Sequence, residues 1–162
     1  MEPYELLGTF FAAMTPVGEL RLSIPLAVVT MEVPWQQALV VSLAGNMVPV
    51  LLLVPGLERL SSLLLRFQNP VGRFLSWRTD RLRRSHAGAF HRYGAVALVA
   101  LVAIPLPLTG AWTGSLAAWA FMVPARKAIP LIALGVLIAG IVVTALTMAG
   151  VTLGSMLAGP GA

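Results

Sequence analysis

Glu19 and Arg21 stand two residues apart in "MTPVGELRLSIP" (residues 14–25), with apolar runs on either side. An ionisable group held at membrane depth costs roughly 3 kcal/mol on insertion scales and marks a functional site by default. Together the pair is net neutral, which lowers the cost of holding either member there. Their i,i+2 spacing puts them on different faces of a helix but on one side of an extended segment. The spacing therefore predicts an unwound tip in which both face one polar cavity. A carboxyl at such a tip is suited to bind and release a proton during transport. Arg21 suits an anionic headgroup or a phosphate. The same two residues could instead form a buried ion pair that pins two segments together.

A second cluster lies in "PLPLTGAWTG" (residues 105–114). Pro105 and Pro107 leave neighbouring carbonyls without helical partners, as Pro16 does beside Glu19. Thr109, Trp112, Thr113 and, just beyond, Ser115 offer hydroxyls, an indole donor and an aromatic face. Broken helix ends of this kind make ion and substrate sites in transporters, and they equally need side chains simply to satisfy exposed backbone. Asn46 is a third polar group, in the middle of an apolar run, where it can be interhelical glue or a ligand.

The elements that must position these residues follow from composition. Of 162 residues, 58% are hydrophobic and 10% charged, with a mean hydropathy of +0.88, which points to an integral membrane protein. Apolar regions run over about residues 6–33, 35–56, 94–123 and 128–158. The second and fourth read as plain spanning helices. In the first, Leu6 to Met14 and Leu22 to Met31 flank Thr15-Pro16-Val17-Gly18-Glu19. Each arm of nine or ten residues reaches roughly 14 Å at 1.5 Å per residue, about half of a hydrocarbon core of roughly 30 Å. In the third, Ala95 to Ile104 and Ser115 to Val123 flank the second cluster. Two half-depth arms around a helix-breaking tip are what a re-entrant hairpin requires.

Charge supports this topology. Every lysine and arginine except Arg21 lies between Arg59 and Arg92 or at Arg126 and Lys127. If the third region enters and returns, both groups share one side, as the positive-inside rule favours, and both termini are external. The acidic N-terminus (Glu2, Glu5) lacks the basic region of a signal peptide. The order is that of an inverted repeat. Pro34 matches Pro124, Ala38 matches Ala128 and Gly45 matches Gly135, each pair 90 residues apart; Pro16 and Pro107 are 91 apart.

The predicted organisation is a single all-α membrane domain over 1–162. It comprises a first inverted repeat (1–56), an amphipathic and basic connector (57–93) and a second inverted repeat (94–158), each repeat being a re-entrant helical hairpin plus a transmembrane helix. In the connector, Leu57, Leu60, Leu64 and Phe67 form one helical stripe. Arg59, Arg66 and Arg73 recur on a more polar side, as in an interfacial helix facing anionic lipid in the cytoplasm.

Several function classes are excluded or left without support. The net charge of +5 is clustered beside apolar segments, which argues against nucleic acid as partner. Cysteine is absent, His86 and His91 have only Asp80 as an acidic neighbour, and neither a nucleophile motif nor a phosphate-binding glycine loop is present. No metal, no cofactor and no enzyme activity is expected.

With these residues in place, "PVGELRLSIPLA" (Pro16 to Ala27) and "AIPLPLTGAWTGSLAA" (Ala103 to Ala118) resemble the small multidrug export proteins. That family's pattern has Pro, Glu-x-Arg and Ile-Pro, then a Pro-x-Pro-x-Thr-Gly-Ala-Trp element. The resemblance extends distantly to the DedA group and implies paired re-entrant helices, lipid-carrier translocation and proton-dependent physiology. DedA-like proteins bring further acidic and arginine residues to the second half, whereas this second tip is uncharged.

The expected function is secondary transport of an amphiphilic or lipid-like substrate in the inner (plasma) membrane. The expected site comprises Glu19, Arg21, Asn46, Pro16, Pro105, Pro107, Thr109, Trp112 and Thr113. Membrane lipids are expected partners, and two full spans shield so little of the hairpins that a homodimer is expected. The alternatives are an uncoupled flippase or scramblase, and a non-transporting assembly or envelope-stability factor.

Overall fold

The computed structural model describes residues 3–66, 87–105 and 109–158, and the described residues are almost entirely helical. Two broken helix pairs each precede a long helix. The first pair is α1 (Pro3–Met14) and α2 (Glu19–Pro25), the latter prolonged by a π-helical turn (Leu26–Thr30). It leads into α3 (Trp35–Arg66). The second pair is α4 (Ala87–Ala103) and α5 (Ala111–Ala120), which leads into α6 (Ala125–Ala158).

Helices α3 and α6, of 32 and 34 residues, are about 48 and 51 Å long at 1.5 Å per residue, more than a hydrocarbon core of roughly 30 Å requires. Both are apolar enough to cross a membrane. Val40, Leu51, Leu52, Leu134, Ile141 and Leu146 stay exposed along them, which suits surroundings of lipid.

Each broken pair is shared between the two long helices. Helix α1 packs on α3 and α4 on α6, while α2 also reaches α6 and α5 reaches α3. The core forms where these meet, from Leu20 and Ile24 of α2, Val50 of α3, Val102 of α4, Ala111 and Ala118 of α5, and Ile132 and Val136 of α6. Two glycines permit the close crossings. A Cβ on Gly45 would meet the Phe10 carbonyl oxygen of α1, and one on Gly135 would lie 2.7 Å from Val102 Cβ and 3.0 Å from the Val99 carbonyl oxygen of α4.

The residue pairs spaced by 90 in the sequence share local geometry. Glu32 and Met122 both have positive φ, 53° and 58°. Each is followed by Val-Pro, and the valine N–H donates back to the preceding helix: Val33 to Ala27 at 2.9 Å, Val123 to Ala118 at 2.8 Å. The Pro34 carbonyl accepts from Gln37 and Ala38, the Pro124 carbonyl from Lys127 and Ala128. Ala38 and Ala128 are both fully buried.

Boundaries differ from the predicted ones in three places. The first break closes sooner than expected: the helix resumes at Glu19, so Glu19 and Arg21 occupy a helical turn and not an extended tip. The second break likewise ends at Gly110, which places Trp112 and Thr113 in the first turn of α5. Residues 57–66 continue α3 without interruption past Pro49 and Pro55. They do not start a separate interfacial helix, because nothing after Pro55 breaks the 3.6-residue period of the leucine stripe. The rest of the basic connector up to residue 86 lies outside the described residues.

Candidate functional site: the junction of the two helix breaks

The chain leaves α1 through Thr15–Gly18 and re-enters helix through two consecutive residues of positive φ, Gly18 at 93° and Glu19 at 50°. A non-glycine residue in this region is uncommon and costs of order 1–3 kcal/mol, a strain that clusters at working sites. The turn delivers Glu19 into the core, where only 5% of its surface is exposed.

The Glu19 carboxylate caps α5. Its Oε2 accepts from the backbone N–H of Ala111 at 2.9 Å and its Oε1 from that of Trp112 at 3.1 Å. These are orphan donors at a helix N-terminus, where the partial positive charge of the helix favours an anion. Gly110 makes the approach possible. A Cβ there would fall on the carboxylate, and its φ of +152° is one that side-chain-bearing residues rarely adopt. The amide nitrogen of Asn46, fully buried on α3, donates to Oε2 at 3.4 Å.

Arg21 closes the other side of the same break. Its guanidinium donates to the Val102 carbonyl at 3.3 Å, to that of Ile104 at 3.1 Å, and to that of Thr109. These carbonyls lie at and beyond the C-terminus of α4, where a cation is favoured. The Thr109 hydroxyl adds a bond to the Ile104 carbonyl at 3.0 Å. The two charges of α2 thus diverge, the anion to the start of α5 and the cation to the end of α4. Expected to share one cavity, they bracket a break between them, because on a helix i and i+2 point apart.

The exchange runs both ways. The indole N–H of Trp112 donates to the Met14 carbonyl at 3.1 Å and caps the end of α1. Each broken pair therefore supplies groups that satisfy the other's open backbone. Behind them, the buried hydroxyls of Ser23 and Ser42 pair at 2.8 Å and tie α2 to α3, while Ser115 bonds back to the Ala111 carbonyl at 2.7 Å.

Arg21 also borders a cleft of about 740 Å³ between α2 with its π-turn and the second half of α6. The cleft is lined by Arg21, Pro25, Val29 and Pro105 on one side and by Val143, Leu146, Thr147, Gly150, Val151, Gly154 and Ser155 on the other. It is an open groove more than an enclosed pocket. The wall is mostly apolar, with Arg21, Thr147 and Ser155 as its polar members.

Of the expected site residues, the structure brings Glu19, Arg21, Asn46, Thr109 and Trp112 together and places Pro105 at the cleft beside Arg21. Pro16 is exposed in the turn. Thr113 is half-buried in the first turn of α5, and Pro107 lies outside the described residues. Sequence reasoning missed Gly110 and the α6 wall. For Gly110 a signal existed, a glycine directly ahead of a helix at a proline-rich break. The α6 residues read as ordinary spanning helix.

The profile of the family described as "Putative small multi-drug export protein" matches residues 19–142, from the first residue of α2 to the middle of α6. No curated protein and no solved structure matches the chain.

Proposed function

We propose that this chain, which belongs to the small multi-drug export family, is a secondary transporter that moves an amphiphilic or lipid-like substrate past the junction of its two helix breaks. The observation that carries the reading is the cleft at that junction: mostly apolar walls with Arg21 at the edge match a molecule with a hydrocarbon body and an anionic head. Glu19 is the proton-linked group. It is a buried carboxyl whose occupancy by a proton changes how firmly α5 is capped, and so links protonation to the position of the second pair. The recurrence of turn geometry at Glu32 and Met122 and of close crossings at Gly45 and Gly135 supports an inverted repeat. In that arrangement both broken pairs are re-entrant hairpins, as in transporters whose half-helix ends meet near the midplane. The basic connector then faces the cytoplasm from the inner membrane.

A second reading has its own support. All the hydrogen bonds of Glu19 and Arg21 described above run to broken backbone or to Asn46, as they would in an assembly factor whose charges only hold it together. Reconstitution into vesicles separates these readings. With a pH gradient imposed, translocation of a headgroup-labelled phospholipid and of an amphiphilic dye is expected to follow the gradient in the wild type and to lose that dependence in Glu19→Gln. Transport indifferent to the gradient, with Glu19→Gln still active, would identify an uncoupled flippase. Vesicles that move neither probe would favour the assembly factor.

A further inference from the structure

Asn46 is fully buried, yet only one end of its amide is engaged. Its nitrogen donates to Glu19 Oε2 over a long 3.4 Å, and its Oδ1, buried with it, has no hydrogen-bond partner. An asparagine that serves as interhelical glue is held at both ends, since a buried acceptor left open loses its bonds to water without return. Ser42, one turn earlier on the same helix, is already paired with Ser23.

The chemistry of the pair accounts for this arrangement. An ionised carboxyl only accepts, and a protonated one must donate its O–H. A carboxamide can answer either form by turning over, presenting its N–H₂ to the carboxylate or its oxygen to the acid. In each orientation one end meets Glu19 and the other stays open, so neither state leaves the amide better paired. Near-balance of this kind is what a two-state element needs if a proton is to tip it.

We infer that Asn46 is the proton-state partner of Glu19, its amide donating to the carboxylate and turning to accept from the acid. Uptake places one proton on Oε2, which becomes a donor to Asn46 Oδ1 and a poorer acceptor for the Ala111 N–H. The proton is held inside the Glu19–Asn46 pair while the cap on α5 weakens. The inference rests on the reading of Glu19 as the proton-linked group.

The Arg21 guanidinium attracts the Glu19 carboxylate. Among the described residues, Arg21 shares α2 with Glu19 and points to the end of α4. Tyr4 and Glu5 lie in the first turn of α1, Glu32 in the turn before α3, and His91, Arg92 and Tyr93 in the first half of α4. Glu58, Arg59 and Arg66 lie in the last third of α3, and Arg126 and Lys127 in the first turn of α6. Described α5 carries no titratable side chain.

Infrared difference spectroscopy on the full chain in lipid vesicles tests the pair directly. Asn46 and Asn69 are its asparagines, so carbon-13 at the asparagine side-chain carbonyl in an Asn69→Gln background labels Asn46 alone. Acidification is expected to raise a carboxylic C=O band that Glu19→Gln removes. With the same midpoint, the labelled amide carbonyl should move to lower frequency as it begins to accept. Asn46→Leu should shift the Glu19 acid band to higher frequency, and Asn46→Gln should restore it.

A Glu19 band that appears while the labelled carbonyl stays still would overturn the role of Asn46 and leave the proton reading standing. If no band depends on Glu19, both fail. A carbonyl that answers sodium at fixed pH, and not acid, would make the pair a metal-cation site and overturn the inference.

Discussion

At the scale of single residues, two charges in an apolar chain are tolerated because each meets a helix end of opposite sign. Glu19 takes up the Ala111 and Trp112 N–H groups and Arg21 the carbonyls of Val102, Ile104 and Thr109. A hydrogen bond to a charged group contributes about 1.5–3 kcal/mol, and in a site closed to water each group left open costs a comparable amount. Gly110 is the most exacting position in this arrangement. Gly110→Ala would drive a methyl into the Glu19 carboxylate and strain the backbone, two costs of about 1–3 kcal/mol each. Thermal unfolding in detergent, followed by tryptophan fluorescence, should show a midpoint lowered by several degrees or no folded protein. An unchanged midpoint would mean that the carboxylate does not lie over residue 110. Arg21→Lys keeps the charge but replaces a planar fork with one compact ammonium, which cannot span three carbonyls. A loss of about 1–3 kcal/mol is expected, and the same unfolding measurement reads it. Equal stability of the lysine variant would reduce Arg21 to a point charge.

At the scale of elements, the breaks were legible and their contents less so. Pro16, Pro105 and Pro107 announce interruptions because proline deletes a donor and clashes with the turn before it; Pro16 lies in the turn after α1 and Pro105 just beyond the end of α4. The pairs Pro34 with Pro124 and Gly45 with Gly135 were legible as spacings, and their shared geometry follows from what each does locally: proline accepts at a helix start, glycine admits a crossing helix. What the sequence hid was the helix resuming at Glu19. Two successive positive φ angles at Gly18 and Glu19 have no local signature at a glutamate, and they are held by partners 92 and 93 residues away. Continuity of α3 through Pro55 was hidden for a related reason. In apolar surroundings neighbouring helices re-satisfy the freed backbone groups, so proline alone does not end a helix. The re-entrant arrangement predicts opposite faces for the two long-helix starts. In a chain free of cysteine, Gln36→Cys should react with an impermeant maleimide added outside and Lys127→Cys only with one added inside, both side chains being exposed. Labelling of both from one side would remove the inverted repeat and leave an ordinary sequence of crossings.

At the scale of the whole molecule, two long helices hold two broken pairs together, and the surface they leave outward is apolar. We propose that a homodimer in the membrane shields the broken pairs, which two long helices cover only in part; single-molecule photobleaching in vesicles should then give two-step traces. Whether the 740 Å³ cleft carries substrate or is only the space left by imperfect packing is the question on which the transport reading depends. Two glycines on the long helices make it answerable. Gly150 on α6 lines the cleft, and a Cβ added there meets nothing within 4 Å; Gly56 on α3 is equally open and does not line it. A large side chain at either position costs little packing, and exchanging a helical glycine for phenylalanine recovers a few tenths of a kcal/mol, roughly half of the glycine penalty. Gly150→Phe and Gly56→Phe should therefore both fold with midpoints at or above the wild type. Only Gly150→Phe places a ring in the cleft, and it should cut the initial rate of amphiphile transport at least about tenfold, equivalent to about 1.4 kcal/mol on the barrier, while Gly56→Phe transports normally. Equal rates in the two variants would mean that substrate does not pass between α2 and α6. The junction of Glu19 and Arg21 would then stand as a device for joining broken helices.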